Sequence, residues 1–315
     1  MPSPPATDRR PGAHRAERHG EVRRSRPTRA ASNRARTSYG DITMTILWAL
    51  VAVSLLAIWL VAYAFFFSEL QEAHAQHNLY GTFREQLASG TAPLSAPIRD
   101  GKPVALISAS RAGLHNAVIV QGTSPGDLEA GPGHRSDTVL PGQMGVSVLY
   151  GRGVAFGGPF RHIASLAPGD LLTVTTAQGT ATYTVDDIRV AGDPFPPPLA
   201  SGGGRLVLES AVGRGYRSEW APTQSVYVDA DLRGTPFPAG GVGAPSPAQR
   251  AMAIDKGALT PLVLWLQAFV LIEIAFVWAR SKWGAPQAWL VGAPLLLAVI
   301  WEITALAARL VPNLL

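Results

Sequence analysis

Ser210 and the histidines His115, His134 and His162 are the side chains in the middle of the chain that could form a hydroxyl nucleophile and its base. No partner motif accompanies His115 or His162, which suits surface or hydrogen-bonded histidines better than catalytic ones. Sulfur chemistry is closed off: the chain has no Cys, hence no disulfide, no thiolate metal ligand and no cysteine nucleophile. Asp186-Asp187 and Asp229/Asp231 are acidic pairs, but no run has the spacing of a calcium loop, so they read as solvated strand ends and no metal is expected. Nothing in the pattern calls for a cofactor.

The elements that must position these groups are framed by apolar runs. Residues 1–41 are rich in Arg, Pro, Ser and Ala without apolar periodicity, and read as a disordered basic tail. Ten arginines fall between Arg9 and Arg36, with Asp8, Glu17 and Glu21 the nearby acids. The basic character of the chain therefore belongs to the tail, and a nucleic-acid-binding body is not indicated. Residues 42–67 carry no charge and exceed the roughly 20 residues needed to cross a bilayer. Ala62-Tyr63-Ala64 mimics a signal-peptide cleavage site, but the apolar core is longer than the ~7–15 residues of such peptides. Two further apolar runs, 259–279 and 286–311, flank the short loop 280–285 with Arg280 and Lys282. Basic residues near membrane ends stay cytoplasmic. The tail and the loop then both lie inside, while residues 68–258 and the end of the chain lie outside the plasma membrane. Both charge clusters demand this multi-pass topology.

Between the spans, residues 68–95 open with a helix over 69–87, where Leu70, Ala73, Tyr80, Phe83 and Leu87 recur at helical intervals. Residues 96–234 then switch to short Val-, Ile-, Leu- and Thr-rich runs broken by Gly and Pro. Strands are expected at 104–108, 117–121, 146–150, 171–176, 181–190, 206–209 and 226–231. The fourth and fifth form a hairpin around Ala177-Gln178-Gly179. The fold class is mainly β, and seven short strands at this spacing read as a β-barrel or sandwich, carried on three transmembrane helices. Residues 235–258 are mostly Gly, Pro and Ala, the composition of a flexible linker.

Residues 117–185 hold a chain of motifs: Leu128 with Gly131-Pro132-Gly133-His134, then Pro141-Gly142-Gln143 and Gly145, Gly151, Phe156-Gly157, Pro159-Phe160, and Leu166 with Gly169-Asp170. In order and spacing this resembles the core of the sortases, specifically the class E-like, actinobacterial type. The resemblance implies a membrane-anchored, extracytoplasmic closed β-barrel of about seven or eight strands at the cell envelope. Family members cut a sorting signal of a secreted protein and join it to the cell wall or a pilin, using a Cys nucleophile, a His acid and an Arg that stabilises the oxyanion.

Carried over residue by residue, the family His falls on Arg152, with Gly153 after it, the Cys on Ala211 and the Arg on Ser225, or on Gln224 if the register slips by one. The three reactive positions are thus substituted, while the Gly, Pro and Asp of the scaffold remain. Ser210 adjoins the lost Cys but should point to the other face of its strand. His134 belongs to a motif that the family carries besides its catalytic His, and reads as structural. Arg152, Glu209 and Ser210 mark a possible ligand groove. There Arg152 either grips a carboxylate or phosphate, with Glu209 its candidate partner across the groove, or reaches solvent from the barrel rim. In the membrane, Glu273, Glu302 and Gln267 are costly unless they meet a partner. Glu302 and Arg309 share a helix face, and Arg309 reaches the outer interface.

The leading expectation is a non-catalytic relative that binds a sorting-signal-like peptide or a secreted protein carrying one. Two others stand beside it: an active transpeptidase or hydrolase with unconventional residues, and a structural subunit bound to a membrane-protein partner through the terminal hairpin.

Overall fold

The computed structural model describes residues 68–212 and 224–315, together with Leu47, Leu50, Ser54, Ile58, Trp59, Ala62, Tyr63 and Phe67. The basic tail and most of the expected first span lie outside the described residues. Helix α1 (Ser68–Ser89) enters the barrel domain and stops at Gly90, whose left-handed conformation (φ 67°) closes the helix end. Eight strands follow: β1 (Pro103–Ala109), β2 (Leu114–Gln121), β3 (Gly133–His134), β4 (Gly145–Tyr150), β5 (Leu171–Thr176), β6 (Gly179–Val190), β7 (Gly204–Val212) and β8 (Gln224–Leu232). They close into a barrel in the order β1-β2-β3-β4-β7-β8-β6-β5. The β4–β7 and β2–β3 pairs are parallel. Two-residue β3 escaped the sequence reading because two residues carry no alternation.

Alternation along the strands divides the barrel. Leu149, Leu206, Leu208, Val226, Val228 and Ala230 fill its interior with Ile107, Ile119, Leu172, Val174 and Tyr183. Their neighbours Val148, Tyr150, Val207 and Ala211 form a separate cluster on the outer face. Helix α1 lies across β1 and β2, with buried Phe83 packed on Leu106 and Val118. The Gln76 amide registers it: Nε2 donates to the Val118 (3.0 Å) and Ala130 (2.6 Å) carbonyls, and Oε1 accepts from the Val118 N–H (2.7 Å).

Segment 235–258, whose composition suggested a flexible tether, is hydrogen-bonded to the barrel. Phe237 N–H donates to Gly142 O and accepts from Met144 N–H through its own carbonyl, while Ala96 N–H donates to Gly241 O and Gly243 N–H to Ser136 O. Gly and Pro content reports backbone freedom in the unfolded chain, not whether the folded barrel offers partners.

Helices α2 (Leu259–Trp283) and α3 (Ala285–Ala308) form the terminal hairpin. Among the described residues two helices, Lys256–Arg280 and Pro286–Ala308, are long and apolar enough to cross a membrane by length and composition, where three were expected. Of the expected first span, Trp59 donates to Thr304 Oγ1 (2.9 Å), and Tyr63 and Phe67 pack edge-on against Trp301. Glu273 is half-buried, whereas Gln267 and Glu302 are exposed. Among the described residues neither glutamate forms an ion pair.

Candidate functional site

The parallel β4–β7 pair sets Tyr150 beside Glu209, and the antiparallel β7–β8 pair sets Glu209 opposite Tyr227 and Ala211 opposite Ser225; Gln224 faces Val212. Because side chains alternate, Val207, Glu209 and Ala211 face out with Ser225 and Tyr227, while Ser210 turns to the other side. The Gly151-Arg152-Gly153 turn after β4 reaches the same end of β7. A Cβ on Gly153 would stand 2.5 Å from the Ala211 carbonyl oxygen, so only glycine allows this approach. The structure thus brings Arg152, Ser210, Ala211 and Ser225 to one end of the barrel.

Arg152 is 1% exposed, which removes the rim reading. Its Nη2 donates to Pro125 O (2.9 Å) and its guanidinium stacks 4.7 Å from the Phe156 ring centroid. Among the described residues Nε has no hydrogen-bond partner. Burial pushes its pKa down to about 10, against the pull of the Glu129 carboxylate. The acid that faces Arg152 is therefore Glu129, not Glu209 across the groove as the sequence suggested. Glu129 itself is buried, and burial raises its carboxyl above the ordinary range although Arg309 and Arg152 hold it down. Arg309, expected at the membrane interface, instead lies 3.2 Å from Glu129 Oε1.

Glu209 is buried among hydroxyls. Burial raises its carboxyl, and Tyr227, Tyr150, Ser225 and Arg135 pull it back. In turn the Tyr150 hydroxyl is pushed up by burial and by the Glu209 charge. From Glu209 an open groove of about 600 Å³ runs along the outer face, floored by Val146, Val148, Val207 and Tyr227 and walled by Arg135, Arg189, Arg205 and Phe195. All three arginines are already paired, Arg135 with Asp137 (2.6 Å), Arg189 with Asp229 (2.7 Å) and Arg205 with Asp231 (2.6 Å). The β8 acids read as solvated strand ends are thus ion-pair partners in the groove wall.

Ser210 is fully buried, and among the described residues its Oγ has no hydrogen-bond partner. A serine nucleophile needs a base within hydrogen-bond reach. His134 does not supply one: its ring nitrogens lie 2.9 Å from Gln121 Oε1 and 2.9 Å from Val139 O, and burial pushes its pKa down to about 4. His115 and His162 are exposed. Among the described residues no cluster of three or more acidic or histidine side chains could hold a metal. Glu129 escaped notice because it stands as an ordinary loop acid between Leu128 and Gly131; the buried arginine it answers is visible only in three dimensions.

The sortase domain model matches residues 107–194. Solved structures that resemble the chain include a sortase D5 transpeptidase of Clostridium perfringens, at 22% identity and TM-score 0.42 over 51% of this chain and 99% of that one. Sortase E from Streptomyces avermitilis aligns at 27% identity and TM-score 0.35, over 44% and 92%. Sortase C of Clostridium perfringens, solved with the C-terminal cell wall sorting motif, aligns at 20% identity and TM-score 0.38, over 52% and 90%. No curated protein matches the chain. The family model thus runs from within β1 to just past β6 and marks that part of the barrel as similar to a sortase domain, with β7 and β8 beyond the match.

Proposed function

We propose that the chain is a membrane-anchored, non-catalytic sortase-domain protein of the cell envelope, whose outer-face groove binds an extended peptide of the sorting-signal kind. The observation that carries this reading is Ala211. It stands where the family resemblance puts the nucleophile, in a chain without any cysteine. Two further features support it: among the described residues Ser210 has no base, and the acid position holds an arginine locked into the protein by Pro125 and Phe156. The groove, with an apolar floor and charged walls, suits recognition of an extended chain.

The membrane part of the proposal rests on the apolar helices. Their topology is supported by the hairpin ends: Asp255 N–H donates to the Arg309 carbonyl, so both ends of the hairpin meet on the barrel side, opposite the Arg280 and Lys282 loop. Fluorogenic sorting-signal peptide incubated with the full chain in detergent tests the reading. Binding without turnover is expected; turnover abolished by Ser210→Ala would overturn it.

A second role is favoured by Gln267 and Glu302, which are exposed on helices apolar enough to span a membrane. Uncompensated polar groups in hydrocarbon are costly. A membrane-protein partner that covers them should co-purify stoichiometrically in mild detergent and be lost on Glu302→Leu.

A further inference from the structure

After α3 the chain turns back onto the barrel. Asn313 is fully buried. Its N–H donates to Ala253 O (3.0 Å), and its side-chain amide donates to Thr123 O (2.7 Å) and Arg250 O (2.9 Å). The two leucines that follow are laid along the turn after β4: Gly153 N–H donates to Leu314 O (3.0 Å) and Ala155 N–H to Leu315 O (3.2 Å). The Leu314 side chain has no exposure and packs with Leu128, Val148, Tyr150, Val207 and Ala211, with Leu315 at its edge. Val148 and Val207 also floor the open groove. The leucines therefore fill the end of the groove that abuts Ala211.

Hydrogen bonds to the main chain of a segment, with one of its side chains held in an apolar pocket, are the means by which a protein recognises a peptide. Here the peptide is the protein's own. Gly153 serves this contact as well as the turn, since the missing side chain leaves its N–H open to the Leu314 carbonyl while its Cα sits against β7. We infer that the groove end beside Ala211 is a binding site for a short aliphatic segment, and that Asn313–Leu315, folded as a turn by the Leu315 N–H to Pro312 O bond (3.1 Å), is its resident occupant, a plug that an incoming peptide must displace. The plug stands on these contacts alone, whereas its role as competitor rests on the proposed peptide-binding function. Tethering places the segment at roughly millimolar effective concentration, so only a ligand that reaches further along the groove competes with it.

The absence of native cysteine makes a clean test. Ala211→Cys is made in the full chain, in a chain ending at Leu310 and in Leu314→Asp, with Ser201→Cys as the exposed reference in each background. Reaction with a water-soluble maleimide is followed in detergent. The thiol at position 211 is expected to react about ten-fold faster or more once the plug is removed or disfavoured, while that at position 201 is unchanged. Adding the synthetic peptide Val-Pro-Asn-Leu-Leu to the shortened chain should restore the slow rate. Equal rates in all three backgrounds overturn the proposal. So does loss of the cooperative thermal transition in both altered chains, because the segment would then be core and not ligand. A sorting-signal peptide that gives no protection where Val-Pro-Asn-Leu-Leu does leaves the plug in place and removes the proposed peptide-binding function instead.

Discussion

Ala211 stands directly opposite Ser225 in the antiparallel β7–β8 pair. The two residues face out of the barrel, one step beyond the Glu209–Tyr227 pair, and Arg152 closes on the same end from β4. Proton transfer from a group at position 152 would have to come from a guanidinium whose pKa, even pushed down, is about 10. Such a group stays charged and poorly disposed to give up a proton at neutral pH. Ala211→Cys alone is therefore expected to yield a thiol but no multiple-turnover cleavage of a sorting-signal peptide. Steady-state release of the leaving peptide by this single variant would contradict the assignment of roles at the site.

Arg152 is held by position rather than by an ion pair, through the Pro125 carbonyl and the Phe156 ring. Truncation to alanine removes a large buried side chain and leaves the Pro125 carbonyl short of a donor. Arg152→Ala is expected to destabilise the barrel by about 2–4 kcal/mol. Arg152→Met keeps most of the volume and relieves the buried charge, so it should cost less than half as much. Urea unfolding followed by tryptophan fluorescence measures both, and an equal loss in the two variants would show that the charge, not the packing, matters.

Much of the barrel was legible because alternation is a two-residue signal that each strand carries by itself. Seven strands were expected, and all seven exist. β3 was missed for the reason that makes it short. The outward set Val207, Glu209 and Ala211 against the inward Leu206, Leu208 and Ser210 follows from the same period, and so did the expectation that Ser210 turns away from Ala211. What could not be read were relations between distant segments. Arg152 meeting Pro125, Glu129 meeting Arg309, and Leu314 meeting Gly153 join loops and chain ends that carry no periodicity. Composition also misled at residues 235–258, where glycine and proline accompany a segment fastened by Gly142, Gln143 and Ser136.

Glu72 on α1 gives the protein a pH response. Burial, with Glu69 close by, pushes its carboxyl up to about 7 from the usual 4.5. A carboxyl whose pKa is raised on folding favours the fold when protonated. Its contribution is complete below about pH 4.5 and disappears as pH rises through 7. A difference of this size, discounted for the partly exposed position, corresponds to about 1–2 kcal/mol. Glu72→Gln should thus raise the thermal midpoint at pH 8 and leave it unchanged at pH 4. A gain of equal size at both pH values would point to packing instead.

Gln76 tests whether α1 is docked by its hydrogen bonds or by its apolar face. Its amide answers the Val118 N–H and the Val118 and Ala130 carbonyls together, whereas Phe83, two turns further along the same face, carries the buried apolar contact. Gln76→Ala leaves the Val118 N–H and two carbonyls without partners, at about 2–3 kcal/mol. Local amide exchange should rise at Val118 without a matching rise at the β7–β8 pair. Spread of the effect to β7 would mean that α1 and the barrel unfold as one unit.

The Arg309–Glu129 contact ties the end of α3 to the loop that faces Arg152. Burial raises the Glu129 carboxyl and Arg309 lowers it, so removing Arg309 must raise it further. The sign follows: Arg309→Leu is expected to cost little at acid pH, where Glu129 is protonated in either chain, and progressively more as pH rises and the carboxylate must be charged without its partner. Arg309 is well exposed, which limits the loss at pH 8 to about 1 kcal/mol. Glu129→Gln should remove most of that pH dependence, and a double-mutant cycle measured at pH 5 and pH 8 isolates the coupling. A coupling energy that does not grow between the two pH values would mean that the contact holds the hairpin by packing and not by charge.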